Sequence, residues 1–176
     1  MGTGIIICGL NGCGKSTLGK ALAKKTGFHF IDNEYLFFSR TKADEPYANP
    51  RTHEEAEILF AQEISKHENF VFAAVTGSYG KNAQSLYQYA ILIETPKEIR
   101  MQRVRNRSFK KFVKRMLQGG ELFEQEENFF KFVEDRPEDY VEKWVKNLNC
   151  PIIRVDGTKP VEENVAFVTK QINLLK

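Results

Sequence analysis

The sequence predicts an α/β fold: a single three-layer α/β/α sandwich on a five-stranded parallel sheet. Three observations carry that prediction. Apolar, strand-like runs alternate with segments of helical period, the order that sets strands in parallel with helices crossing over them. Two of the runs, Gly4-Ile5-Ile6-Ile7-Cys8 and Phe70-Val71-Phe72-Ala73-Ala74-Val75, are almost wholly apolar, as strands covered on both faces must be. At 176 residues the chain has the length of one domain, enough to cover a sheet from both sides.

The elements follow in order. The first strand runs into Gly9-Leu10-Asn11-Gly12-Cys13-Gly14-Lys15-Ser16, and Thr17 opens a helix with Leu18, Ala21 and Leu22 on one face. Gly27 ends that helix, and Phe28-His29-Phe30-Ile31 reads as the second strand, running into Asp32-Asn33-Glu34. A polar stretch with Pro46 and Pro50 reads as a loop. Thr52 and Glu55 form a capping box, and Ala56, Leu59, Phe60 and Ile64 mark the buried face of the next helix. The third strand, from Phe70 to Val75, ends in the turn Thr76-Gly77-Ser78-Tyr79-Gly80, and the fourth runs from Tyr89 to Glu94. Thr95-Pro96-Lys97-Glu98 reads as N-cap, first-position proline and capping acid of a long helix. Its spacing continues through Phe109, Phe112, Val113, Met116 and Leu117 until Gly119-Gly120 breaks it. Acids and phenylalanines then mix up to Asp135-Arg136-Pro137, and Phe129, Phe130, Phe132 and Trp144 read as packing residues in preference to a base-stacking platform. Tyr140, Val141, Trp144, Val145 and Leu148 mark a helix, Pro151 to Asp156 the fifth strand, and Val165, Val168, Ile172 and Leu175 the last helix.

Composition narrows the setting. A net charge of +3 does not call for a nucleic-acid partner. Cys8, Cys13 and Cys150 are odd in number and have neither C-x-x-C nor metal spacing, which suits a reducing cytoplasm. No apolar run approaches membrane-spanning length and no signal pattern is evident. Met1-Gly2 opens like a myristoylation motif, but Ile6 stands where that motif takes Ser or Thr.

The glycine loop fits G-x-x-x-x-G-K-[ST], the phosphate-binding loop. By chance such a match arises in roughly one chain of this size in a hundred or fewer, and here a strand precedes it and a helix follows. Gly9, Asn11, Gly12, Cys13, Gly14, Lys15, Ser16 and Thr17 are therefore candidates to hold a nucleoside triphosphate. The glycines let successive N–H groups point at one anion, and the helix N-terminus adds its positive end. Lys15 reaches the β- and γ-phosphates, and Ser16 ligates Mg²⁺.

Beyond the carboxyl ends of parallel strands, the loops should converge on one crevice. Asp32 and Glu34, two apart, point the same way if extended geometry persists. One acid then holds Mg²⁺ and the other accepts a proton from an acceptor hydroxyl; the alternative is that both cap the next helix or stand in solvent. The third strand ends without an acid, which leaves the metal to Asp32. Gly77, Ser78 and Gly80 form either an ordinary tight turn or a place for an acceptor to approach the backbone. The segment from Lys97 to Arg115 is densely basic, and within it Arg103 and Arg107 share a helix face. Such arginines suit a migrating phosphoryl group, though a charge run is also the mark of a solvated face. Arg136 is a further candidate.

In GLNGCGKST, FIDNE, VTGSYG, ETPKEIRMQRVRNR and VDGTKP the chain resembles the small P-loop kinases, the group holding shikimate, gluconate and nucleoside monophosphate kinases, over essentially its whole length. The resemblance implies Mg²⁺-dependent phosphoryl transfer from ATP to a small acceptor: a shikimate-like metabolite, a nucleoside or a nucleotide. It implies a metal role for Asp32, a substrate role for Glu34, an acceptor-holding turn at Gly77 and Ser78, and Arg103 and Arg107 at the entry of a helical lid spanning about 104–137. It also implies an adenine-wrapping loop at Gly157, Thr158, Lys159 and Pro160. The chain departs from the pattern in having Glu34 as the second acid, Gly-Ser-Tyr-Gly for a glycine triplet, no D-G-[FY]-P-R segment, and a long, phenylalanine-rich lid. The acceptor therefore stays open; Arg40 or Arg51 either binds an anionic one or is simply exposed. The expected partner is a small phosphate acceptor, without membrane or nucleic acid, and the expected state a monomer or homodimer. The alternative function is a nucleotide-dependent switch or accessory ATPase whose basic lid binds a macromolecule such as RNA; phosphorylation of a nucleic-acid end rests on the basic run alone.

Overall fold

A computed structural model describes residues 2–38, 50–80 and 82–175. Arg40 and Pro46 lie outside the described residues. Strands β1 (Gly4–Cys8), β2 (His29–Asp32), β3 (Phe70–Ala73), β4 (Tyr89–Glu94) and β5 (Ile152–Asp156) form one sheet in the order β2-β3-β1-β4-β5. Every neighbouring pair is parallel, with Ile6 opposite both Phe72 and Ala90.

The two-residue period of the strands splits the core in two. Ile6, Cys8, Phe70, Phe72, Ala90 and Leu92 face α2 (Asn33–Phe37), α3 (His53–Lys66) and α6 (Tyr140–Val145), which contribute Leu36, Ala56, Phe60, Val141 and Val145. The alternate residues Ile5, Ile7, Val71, Ile91 and Ile93 face α1 (Lys15–Thr26) and α7 (Val161–Leu174), through Leu18, Leu22, Val165, Val168 and Ile172. The sandwich is thus α/β/α, as the alternation predicts. Edge strand β5 buries Ile153 and Val155 and turns Arg154 outward, where it forks onto Glu142 at 2.8 and 2.9 Å and reaches Glu94 at 2.9 Å.

A third, small core lies outside the sheet. Helices α4 (Lys97–Phe112) and α5 (Phe123–Glu134) pack through Val104, Phe130 and Val133, with Met101, Met116 and Phe129 around them. The segment of acids and phenylalanines is therefore a helix with a buried stripe. Phe130 is buried, whereas Phe132 is exposed and lies under the Arg136 guanidinium at 4.7 Å. Trp144 is packed against the core facing α3.

Several boundaries differ from the sequence expectation. β2 is one residue later and ends on Asp32, and β3 stops at Ala73. Thr95 does not cap α4: Pro96 holds the N-cap position, and Thr95 Oγ1 donates to the Cys13 carbonyl at 3.5 Å. The continuous helical reading past Phe112 fails at Val113, which takes a left-handed φ of 49°. The Thr52–Glu55 capping box forms as expected, with bonds of 2.7 and 3.2 Å. Among the described residues, no helix is long and apolar enough to cross a membrane.

Phe60 is nearly inaccessible and touches the rings of Phe70, Phe72 and Tyr79. Phe60→Ala should cost roughly 3–5 kcal/mol in denaturant unfolding. Ile58→Ala, on the same helix but 53% exposed, should stay within about 0.5 kcal/mol of wild type.

Candidate active site

The glycine loop between β1 and α1 owes its shape to Gly9, Gly12 and Gly14, whose φ values are +149°, +83° and +105°. That backbone is cheap only for glycine, and a side chain at Gly12 would also strike the Arg100 carbonyl. No side chain caps α1, and its first turn carries no acid. Its amides and positive dipole end are therefore not neutralised by a protein carboxylate, the condition for an anion site. Lys15 Nζ donates to the Leu10 carbonyl at 3.1 Å, so the ammonium curls back over the loop. Cys13 is buried, and Thr17 faces solvent. Burial pushes the thiol of Cys8, just before the loop, up to about 12, which removes it as a nucleophile.

Asn11, Gly12, Lys15 and Ser16 line a cavity of about 370 Å³, and Asp32, Glu34 and Arg107 line it too. For Asp32 the helix-capping alternative holds, and the two acids still reach the one cavity. Extended geometry does not persist: α2 starts at Asn33, and Asp32 is its N-cap, with Oδ1 accepting the Glu34 N–H at 3.1 Å. Glu34 then stands 4.0 Å from Lys111 on α4. Burial lowers the Lys111 pKa, and Glu34 partly offsets that.

The arginine pair divides. Arg107 faces the cavity, whereas Arg103, one turn earlier, donates to the Gly157 carbonyl at 3.0 Å. Gly157, Thr158, Lys159 and Pro160 are not among the cavity's lining residues, so the expected single crevice is split. Thr158 instead borders a separate depression with Glu94, Thr95 and Asp156, where its N–H and hydroxyl donate to Asp156 Oδ1 at 2.8 and 2.6 Å. Lys159 pairs with Glu163 at 2.9 Å, and Pro160 is the N-cap of α7.

A second cavity shares Asn33 and Val75 with the first and is lined by Ser78, Tyr79, Arg136 and Trp144. Arg136 donates to Asn11 Oδ1 at 2.7 Å and lies over the Phe132 and Tyr140 rings; burial lowers its pKa. Ser78 Oγ accepts the Trp144 indole N–H at 2.8 Å. Tyr79 donates to Asn33 Oδ1. Gly77 is not in the lining of either cavity. It is small because Tyr87 packs on it: the Tyr87 hydroxyl donates to the Gly77 carbonyl at 3.0 Å, and a Cβ there would stand 2.6 Å from that oxygen. Arg51 Nη1 donates to the carbonyls of Tyr35 and Leu36 at 3.2 and 3.1 Å, so Arg51 ties the start of α3 to α2.

Two residues of the site lay hidden in the charge runs. Arg100 is 2% exposed; it forks onto Glu138 with two 2.7 Å bonds and donates to the carbonyls of Thr95 and Asn11. Glu126 is 3% exposed, lines the first cavity, and its Oε2 has no hydrogen-bond partner among the described residues. The signal for both was helical phase. Arg100 shares a buried stripe with Val104, Ser108 and Phe112, and Glu126 shares one with Phe130 and Val133.

Comparison with known proteins places this geometry. A family model described as an AAA domain matches residues 5–127. The protein of Bacillus subtilis (strain 168) named "Uncharacterized protein YqaC" is 25% identical over 169 residues, 92% of each chain. The structure of a shikimate kinase from Acinetobacter baumannii in complex with shikimate aligns over 99% of this chain and 94% of its own, at 15% identity and a TM-score of 0.61. That of a gluconokinase from Sinorhizobium meliloti 1021 aligns over 99% and 97%, at 15% identity and a TM-score of 0.53. At these identities the structural likeness is one of fold. The matched span runs from β1 and the glycine loop through α4, and the chain belongs to the AAA domain family, built on the fold of the small P-loop kinases.

Proposed function

We propose that the protein is an ATP-dependent phosphotransferase that moves the γ-phosphoryl group of ATP to a hydroxyl of a small acceptor. One observation carries the reading: a single cavity collects Lys15 and Ser16 from the glycine loop, Asp32 from the end of β2, Glu34 from α2 and Arg107 from α4. A nucleotide switch or accessory ATPase needs only the loop and a metal acid, and has no use for the walled space that Glu34, Glu126 and Phe129 add. The shikimate kinase and gluconokinase named above support a small hydroxyl-bearing acceptor as the class.

In this reading the loop amides and the start of α1 hold the phosphates, and Lys15 leaves the Leu10 carbonyl for the β- and γ-phosphates. Ser16 Oγ and the Asp32 carboxylate are hard oxygen donors on one cavity wall, and the Glu34 N–H fixes the carboxylate. They fit Mg²⁺ and would hold it; bound there, the ion neutralises charge on the phosphate oxygens. Arg107 brings its planar fork to the migrating group. As the acceptor oxygen bonds to phosphorus, the bond to the departing ADP oxygen breaks, and Glu34 orients the hydroxyl and takes its proton. Glu126 accepts a hydrogen bond from a second donor group of the acceptor. Ser78 and Arg136 extend the acceptor side, with Gly77 shaping the turn beneath them. Arg103 ties α4 to the loop from Gly157 to Pro160, which covers the nucleotide base. The helical lid spans about 104–137, within a single domain of residues 1–176. A cytoplasmic setting goes with ATP and with three free cysteines.

An ATP-consumption screen over hydroxylated acids, nucleosides and nucleoside monophosphates tests this. Lys15→Ala should lower acceptor-dependent ADP release on the order of 10²–10³-fold; undiminished transfer overturns the reading. Slow hydrolysis that ignores every acceptor, together with salt-sensitive RNA binding, would favour the switch instead. Glu126→Gln separates ligand recognition from packing. Replacing a buried carboxylate whose Oε2 lacks a hydrogen-bond partner by a neutral isostere should raise unfolding free energy by about 1–3 kcal/mol, while acceptor KM rises. A variant that melts lower with unchanged KM would show Glu126 to be structural.

A further inference from the structure

Three side chains that phosphotransfer leaves unused meet at the other end of β2. His29 opens that strand and Asp32 closes it; Glu63 lies in the last turn of α3, and His67 is that helix's C-cap. His29 Nε2 stands 2.9 Å from Glu63 Oε2, and the imidazoles of His29 and His67 stack with centroids 3.6 Å apart and planes 10° from parallel. One ligating atom from each residue lies within 4.8 Å of the other two.

The chemistry of this trio is specific. Around a tetrahedral zinc ion with bonds of ~2.0–2.1 Å, ligand atoms stand roughly 3.3 Å apart, a spacing these three atoms reach once the two imidazoles turn out of their stack so that their in-plane lone pairs converge on one ion. Two imidazoles and one carboxylate are a borderline nitrogen-and-oxygen set; it suits Zn²⁺, Co²⁺ or Ni²⁺ and is a poor match for Mg²⁺, which takes oxygen. Lys66 Nζ lies 3.8 Å from Glu63 Oε1, whereas His29 faces Oε2, so the carboxylate presents one oxygen to each neighbour. The His29 and Glu63 side chains are about one-third exposed, which gives an ion a way in and leaves room for water as the fourth ligand.

We propose that His29, Glu63 and His67 bind a transition-metal dication of the zinc type, at a site separate from the glycine loop, and that the ion clips the start of β2 to the end of α3. The proposal stands apart from the phosphotransfer reading, and its test does not use activity. The whole chain is titrated with Zn²⁺ against a chromophoric chelator in excess Mg²⁺, and with Co²⁺ by visible absorption. The expected result is one ion per chain, lost in His29→Ala and in His67→Ala and weakened in Glu63→Gln. Co²⁺ should give weak bands of nitrogen and oxygen ligation without the thiolate charge-transfer band that Cys13 or Cys150 would add. Zn²⁺ should raise the melting temperature of wild type and leave that of the His29→Ala/His67→Ala double variant unmoved. Lys15→Ala should bind Zn²⁺ as wild type does, which keeps this site distinct from the phosphate loop. All three side chains are partly exposed, and circular dichroism of the metal-free variants checks that they fold. Absence of zinc uptake, uptake that survives both histidine substitutions in folded protein, or a thiolate band overturns the proposal.

Discussion

The Arg100 guanidinium is the joint on which the site depends. It reaches three stretches of chain far apart in sequence: the Asn11 carbonyl in the glycine loop, the Thr95 carbonyl after β4, and Glu138 between α5 and α6. The same residue's backbone carbonyl lies where a side chain on Gly12 would stand. One arginine thus holds the loop from two directions and fixes both ends of the α4–α5 unit against it. The pair with Glu138 is lopsided, because the arginine side chain is 3% exposed and the glutamate 57%. Its worth lies in satisfying a buried cation and the carbonyls it reaches, more than in attraction across the pair.

Charge around the cavity is arranged with the same economy. Lys15, Arg107 and the uncapped start of α1 present positive potential where phosphates are to sit, and Asp32 offers a carboxylate already oriented by a backbone N–H. Glu126 breaks the pattern. A buried carboxylate oxygen without a partner is costly, and native chains rarely keep one. It is kept here on a cavity wall, beside Gln125 and Phe129, where a ligand can supply the missing donor. Local rules of this kind are broken where function demands it.

What the sequence made legible was whatever is decided locally. The glycine loop follows from residue identity at fixed spacing, because only glycine takes that backbone. The two-faced core follows from runs such as Ile5-Ile6-Ile7, whose alternate members must go to opposite layers. What stayed hidden depends on tertiary neighbours. Asp32 and Glu34 reach one cavity because a helix starts between them, not because a strand continues. Thr95 has the makings of a cap, yet its hydroxyl goes to the Cys13 carbonyl across the sheet end. Gly77 reads equally as a tight turn or as an opening for an acceptor, and only the tertiary neighbour Tyr87, packed against it, shows what occupies the space there. Arg100 and Glu126 sit in charge runs, which read as solvated until the helical phase of their apolar neighbours is followed.

The divided crevice follows from the two directions in which α4 sends its arginines. Arg103 and Arg107 lie one turn apart on α4, yet the first bonds to Gly157, beside β5, and the second faces the cavity beside β2. The helix is therefore a partition across the top of the sheet, with the loop at Gly157 on one side and the carboxylate-lined cavity on the other. Its packing with α5, through Val104, Phe130 and Val133, forms a cluster distinct from both sheet cores. A unit with its own core can shift as a body without exposing the core of the sheet. Arg100 pins the first turn of α4, and Arg107 and Lys111 stand toward the far end of the helix. The partition is thus tied by buried hydrogen bonds where it meets the glycine loop, and at its other end Lys111 stands 4.0 Å from Glu34.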